Sequence, residues 1–87
     1  MQLPCRTDVT DFDTWKAAFD DDAESRRTAG LTLLQLWRDA DAPTRVFQLY
    51  EVNDTDKARA FLGGAQARLN AGHAGVTGQD CHFLETL

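Results

Sequence analysis

The chain has 87 residues, 43% hydrophobic and 26% charged, enough to bury one core and not two, so a single domain over residues 1–87 is expected. Two prolines and six glycines exclude collagen-like, low-complexity and wholly disordered classes. A formal charge of −5 repels phosphate backbones and anionic lipid surfaces, which argues against nucleic acid and membrane as partners. No run of about 18 apolar residues occurs, and Met1–Arg6 lacks a basic stretch leading into an apolar one, so a cytoplasmic protein is expected. Cys5 and Cys81 are too few for a disulfide framework and form no C-x-x-C pair; free, buried thiols are the expectation.

In chain order, Leu3, Cys5, Thr7 and Val9 alternate with Pro4, Arg6 and Asp8, a period of two that predicts a first strand. Asp11 is placed to cap a helix starting at Phe12 and running to about Thr28, with Phe12, Trp15, Phe19 and Ala23 on its apolar face. Gly30 suits the left-handed position that ends a helix. Leu31–Arg38 and Arg45–Val52 flank Asp39–Thr44, an Asp/Pro turn, and predict a hairpin. Asn53–Asp56 caps a second helix from Thr55 to Ala71, whose stripe is Ala58, Phe61, Leu62, Ala65 and Leu69. Gly63 and Gly64 are its weak point, each costing about 1 kcal/mol relative to alanine. Gly72, Gly75 and Gly78 punctuate a loop before a last strand over Asp80–Glu85. The order βαββαβ is the ferredoxin-like one, an α+β fold with a four-stranded antiparallel sheet and the first strand between the third and fourth.

Two helices cover one face of such a sheet. A solvated second face would alternate polar residues with apolar ones, yet Leu31, Leu33 and Trp37 are expected to oppose Leu34 and Leu36, while Val46, Tyr50 and Val52 oppose Phe47 and Leu49. Both faces read as buried, and a homodimer through the open face is the expected arrangement.

The segments Val9–Lys16, Trp37–Pro43, Ala58–Leu62 and Ala74–Gly78 resemble those of small bacterial proteins of the dimeric α/β-barrel superfamily, of the antibiotic-biosynthesis-monooxygenase type. The resemblance spans nearly the whole chain and rests on structural motifs. It implies two sheets packed face to face in a homodimer, with a small apolar pocket in each subunit. Where relatives carry histidines near the end of the first strand and within the first helix, this chain has Thr7 and Asp22.

Candidate catalytic residues are His82, Arg26 and Arg6. Histidine is the side chain whose ordinary proton affinity suits a general base at neutral pH, which makes His82 a candidate; His73, in the glycine-rich loop, is a weaker one. Arg26 follows Asp22 by four residues, so an intrahelical ion pair competes with a pocket guanidinium that receives a carboxylate or enolate. Arg6 faces the same choice, with Glu51 or Asp8 as structural partners. Candidate substrate-binding residues are Trp15, Trp37, Tyr50 and Gln48, aromatic walls and a polar end on strands that otherwise read apolar.

No metal site is expected, because Cys81 and His82 point to opposite faces and Asp20, Asp21, Asp22 and Glu24 spread around a helix. Dinucleotide, P-loop and nucleophile motifs are missing, and no cofactor is expected. The third strand lacks the glycine of an RNA-recognition motif. The leading function is therefore a homodimer that binds a small aromatic or polyketide-like molecule, as a cofactor-independent monooxygenase or a cyclase/isomerase. The alternative is a non-enzymatic dimerisation or binding module docking on a larger partner.

Overall fold

The computed structural model describes residues 1–70 and 72–87, and within them every side chain except those of Gln66, Ala67, Leu69, Asn70 and His73. Leu69 on the helix stripe, the helix end at Ala71 and the side chain of His73 thus lie outside the described set. The elements are β1 (Gln2–Val9), α1 (Phe12–Asp21), α2 (Ala23–Thr28), β2 (Leu31–Arg38), β3 (Arg45–Val52), α3 (Thr55–Asn70), a 3₁₀ turn (His73–Gly75) and β4 (Val76–Cys81). The sheet is antiparallel in the order β2-β3-β1-β4, with β1 central. The ferredoxin-like α+β fold read from the sequence is the fold observed, and no described helix is long and apolar enough to cross a membrane.

Local chemistry explains the element ends. The Asp11 carboxylate accepts from the Thr14 amide at 2.9 Å and its hydroxyl at 2.7 Å, and both bonds hold the Asp11 carboxyl below its ordinary pKa. Gly30 has φ +77°, and a β-carbon there would meet the Asp54 backbone and side chain at 2.9 Å, so the turn into β2 needs glycine. The Asp54 side chain accepts from the Lys57 amide at 3.0 Å and caps α3. Gly63 and Gly64 do not break α3, which runs unbroken past them with open space around both.

Three departures from the expected elements matter. First, the helix expected to reach Thr28 breaks at Asp22 (φ −88°, ψ 4°), which ends α1 and begins α2. Asp20, Asp21 and Asp22 crowd the negative end of α1's dipole, and no basic residue occupies its last turn. Second, β4 begins at Val76, before the expected Asp80, with Gly78 inside it. Gly78 pairs with Asp8 at the register shift of β1, where a β-carbon would lie 3.4 Å from the Asp8 carboxylate. Third, β2 shifts register between Leu33 and Gln35, so that Leu33 opposes Tyr50 while Leu36 opposes Gln48 and Trp37 opposes Phe47. A one-residue shift inverts every later side chain. Trp37 therefore leaves the face of Leu31 and Leu33 and joins Phe47 on the helix-free side, whereas Leu36 takes the helix side.

The core lies between helices and sheet. Leu3, Cys5, Leu31, Tyr50, Val52 and Ala58 form one buried cluster, and Val9, Trp15 and Val46 a second. The helix-free face carries Pro4, Phe47 and Leu49, half-buried, beside Leu34 and Trp37, which are 47% and 48% exposed. Its β1–β4 end is charged: Arg6 bridges Asp80 at 2.8 Å and Asp8 at 3.7 Å, and Arg45 reaches Asp8 at 3.1 Å.

The two cysteines are a correction. They oppose one another across β1 and β4 with their α-carbons 4.1 Å apart, and their sulfurs are joined as a disulfide. The ferredoxin-like order already puts these two, 76 residues apart, on neighbouring strands; the expectation that they stay reduced is what the structure overturns. Closing a loop of that length restricts the unfolded chain by about 4 kcal/mol in the chain-entropy account. Urea unfolding with and without reductant is expected to show a loss of about 2–4 kcal/mol on reduction, and Cys81→Ser is expected to abolish that dependence. An oxidised protein whose midpoint ignores reductant would contradict the bond.

Candidate functional site

The break at Asp22 builds a cleft. The Arg26 amide still donates to the Asp22 carbonyl one turn back at 3.0 Å, but its side chain folds over the end of α1 instead of meeting the Asp22 carboxylate. Its Nη1 donates to the Phe19 carbonyl at 2.6 Å, and its guanidinium stacks 3.6 Å from the Phe19 ring centroid. Phe19 stacks on Trp15 in turn, with centroids 4.7 Å apart. The expected Asp22–Arg26 pair is not made. Asp22 instead meets Arg68 of α3 at 3.5 Å, which ties the two helical segments across the mouth.

Between these helices and the sheet lies a cavity of about 100 Å³ that opens to solvent, walled by Trp15, Phe19, Tyr50 and Phe61. Its floor is polar. Thr7 Oγ1 lies 3.1 Å from Gln48 Nε2 and 3.2 Å from Gln79 Nε2, both of which donate to it. Gln48 and Thr7 are almost fully buried, at 2% and 1% exposure, and their mutual bonds offset much of the cost of desolvating them. Gln48 and Gln79 also line the cavity.

Arg26 is 8% exposed, and among the described residues no carboxylate lies within ion-pair distance of it. A buried guanidinium costs several kcal/mol to desolvate. One charge-assisted hydrogen bond returns about 1.5–3 kcal/mol, and stacking on an aromatic ring about 2 kcal/mol. Tyr50 is buried beside it, and burial pushes the phenol up to about 12 while the Arg26 charge pulls the other way. At neutral pH Tyr50 is thus a neutral donor.

The structure brings four of the candidate residues, Trp15, Arg26, Gln48 and Tyr50, onto this one cleft. The other three lie on the opposite side of the sheet. Arg6 pairs with Asp80, and Trp37 opposes Phe47 after the register shift. His82 is exposed, and its amide donates to the Pro4 carbonyl at 3.1 Å, which puts it on the face that alternates with Cys81. Sequence reasoning missed Gln79, placed in a loop when β4 was expected to start later, and Phe19, whose carbonyl is opened by the helix break. Thr7 was visible in the period-two pattern of β1. Among the described residues no group of three His, Cys, Asp or Glu side chains is placed to hold a metal ion.

No protein-family model and no curated protein matches the chain. Solved structures do. A candidate antibiotic biosynthesis monooxygenase from Deinococcus radiodurans superposes with TM-score 0.63 at 17% identity, covering 99% of this chain and 92% of that one. Another, from Nitrosomonas europaea, gives 0.59 at 16%, covering 100% and 99%. The chain has the fold of antibiotic-biosynthesis-monooxygenase-like proteins. An uncharacterized NIPSNAP domain protein from Burkholderia xenovorans shares it too, at TM-score 0.57 and 17% identity, covering 100% and 95%. At such identities the likeness is one of fold.

The single tyrosine of the chain gives a clean test of the cleft wall. A phenol raised in the fold contributes stability that is complete below its unfolded pKa of about 10 and disappears as pH climbs through its folded value. Phenolate absorbance of the native protein should therefore rise near pH 12 instead of pH 10, with about 2–3 kcal/mol of stability lost across that window. Tyr50→Phe should remove this loss. Ionisation of the native protein near pH 10 would place the hydroxyl in water.

Proposed function

We propose that the protein is a homodimer that binds one small aromatic or polyketide-like molecule per subunit in the cleft above Gln48. The observation that carries this reading is the cleft's make-up: aromatic walls, a hydrogen-bonded amide floor and an opening to solvent. That is the mixture a small organic ligand requires, apolar contact for affinity and a few fixed polar groups for orientation. The cavity is smaller than the roughly 150 Å³ that encloses benzene in an engineered core, so a ring sits partly in the mouth between α1 and α3.

The reaction we infer is cofactor-independent oxygenation or cyclisation of an electron-rich ring. The shared fold supports it through the two candidate monooxygenases above. In the oxygenation, the substrate supplies the electrons for dioxygen, and the protein orients the ring and stabilises negative charge that develops on it. Trp15 and Tyr50 are the walls in this reading, Gln48 positions a ring oxygen, and Arg26 stabilises the anion.

Dimerisation goes through the helix-free face. Four strands of up to eight residues span roughly 26 by 19 Å at standard strand spacings, a flat footprint of about 500 Å² that side-chain relief enlarges toward the roughly 800 Å² per partner of a stable interface. Leu34, Trp37, Phe47 and Leu49 form its apolar part. Arg6 and His82 belong to this face and are reassigned from chemistry to the interface. The location that goes with this reading is the cytoplasm, where the Cys5–Cys81 disulfide is an exception to the reduced state usual for cysteines there.

Two measurements test the reading. Light scattering should give a dimer that Trp37→Glu converts to a folded monomer, because the residue is half-exposed in the subunit and buried in the pair. A monomeric wild type would contradict the interface. Hydroxylated aromatics should raise the melting temperature of the wild type and quench Trp15, with oxygen uptake for oxidisable ones, and Gln48→Leu should cut affinity about tenfold, the worth of one or two oriented hydrogen bonds. No thermal shift with any of them would contradict the cleft as a ligand site.

A further inference from the structure

We propose that the cleft selects ligands carrying an anionic oxygen, a carboxylate or an ionised phenol or enol, and that Arg26 is the residue that reads this charge. The inference rests on the reading of the cleft as a ligand site and adds the chemical class of what enters it.

The chain is acidic, with a net charge of −5, yet the described residues around the cavity reverse that sign. Arg26 and Arg68 are cationic and Asp22 is the single anion. Asp22 lies 3.5 Å from Arg68, which leaves the Arg26 charge uncompensated. The residue that carries it is more than nine-tenths buried, and in a partly enclosed site a charge is screened less than at the surface.

The guanidinium is held for use. Its Nη1 is committed to the Phe19 carbonyl at 2.6 Å and one flat face to the Phe19 ring. These contacts fix its plane and leave the remaining N–H groups of the fork to an incoming oxygen pair. The stack of Arg26 on Phe19 on Trp15 gives the ring of such a ligand an aromatic edge to rest on. Tyr50 lines the same wall as a neutral hydroxyl that can donate to the same anion. Gln48 and Gln79, three strands wide with Thr7 between them, take a second oxygen at the far end of the ring. The ligand class is therefore a single-ring aromatic with an ionised oxygen at the Arg26 end and a neutral polar group at the other.

The arrangement discriminates against neutral isosteres of equal shape. An amide in place of the carboxylate keeps the ring contacts and loses the charge, so the buried cation stays unpaired on binding.

The test uses benzoate and benzamide as probes on the full-length protein, followed by ¹⁵N chemical-shift titration of the Gln48 and Gln79 side-chain amides and the Arg26 guanidinium. Wild type should bind benzoate at least about tenfold more tightly than benzamide, ~1.4 kcal/mol. Arg26→Gln should bring the ratio close to one, Arg26→Lys should keep part of it, and Arg68→Gln should leave most of it. Because Arg26 is buried, the wild-type ratio stands as the primary reading should the glutamine variant fold poorly. Equal binding of the two probes by wild type overturns the inference and leaves the ligand cleft standing. A preference that survives Arg26→Gln and vanishes in Arg68→Gln assigns the charge recognition to the rim and also overturns it. Absence of any shift in the cleft with either probe overturns both the inference and the reading on which it rests.

Discussion

A four-stranded sheet has two faces, and this chain has helices for one. That imbalance organises the rest of the molecule. β1 and β3 bury alternate residues against the helices, Leu3, Cys5 and Thr7 on one strand and Val46, Gln48 and Tyr50 on the other. Of the residues between them, Pro4, Phe47 and Leu49 are also apolar and have no helix above them, and Arg6 is the charged one. The described helices leave that face without a covering layer, which the homodimer proposed above supplies. Burial of the second face by another copy is the economical solution, since one sequence then serves both sides of the contact.

The helical layer itself covers its face incompletely, and the gap is where the chemistry gathers. Three aspartates at the end of α1 stop the helix, and the turn at Asp22 redirects α2. Sequence spacing offers Asp22 and Arg26 as an ordinary exposed pair worth a few tenths of a kcal/mol. In the fold Arg26 lies on Phe19 instead and Asp22 meets Arg68. The result is a buried, oriented cation beside an open cavity.

Much of this was legible in the sequence, because it rests on periodicity and local capping. The alternation of β1 and β3, the Asp11 and Asp54 caps and the left-handed Gly30 each depend on a few adjacent residues, and element order then fixes a ferredoxin-like sheet with β1 in the centre. That Trp15, Gln48 and Tyr50 face one another was legible for the same reason: the helical and strand repeats determine which way each side chain points. What escaped depends on register between distant segments. The shift between Leu33 and Gln35 in β2 moves Trp37 to the other face. The early start of β4 brings Gln79 into the cleft floor and sets Cys81 against Cys5. The Asp22 break fixes what Arg26 touches. Each is an event of one to four residues, below the resolution of a hydrophobic pattern and decisive for which side chains meet.

In the function proposed above, the two faces of one sheet become two different surfaces, one closed by a second copy and the other receiving an anionic aromatic. Native mass spectrometry of the protein purified from the cells that make it addresses both at once. The account predicts a species at twice the 9.7 kDa chain mass, carrying up to two copies of a small acid that dissociates as a negative ion. A single-chain species, or a dimer whose retained molecules are consistently neutral or basic, would contradict it.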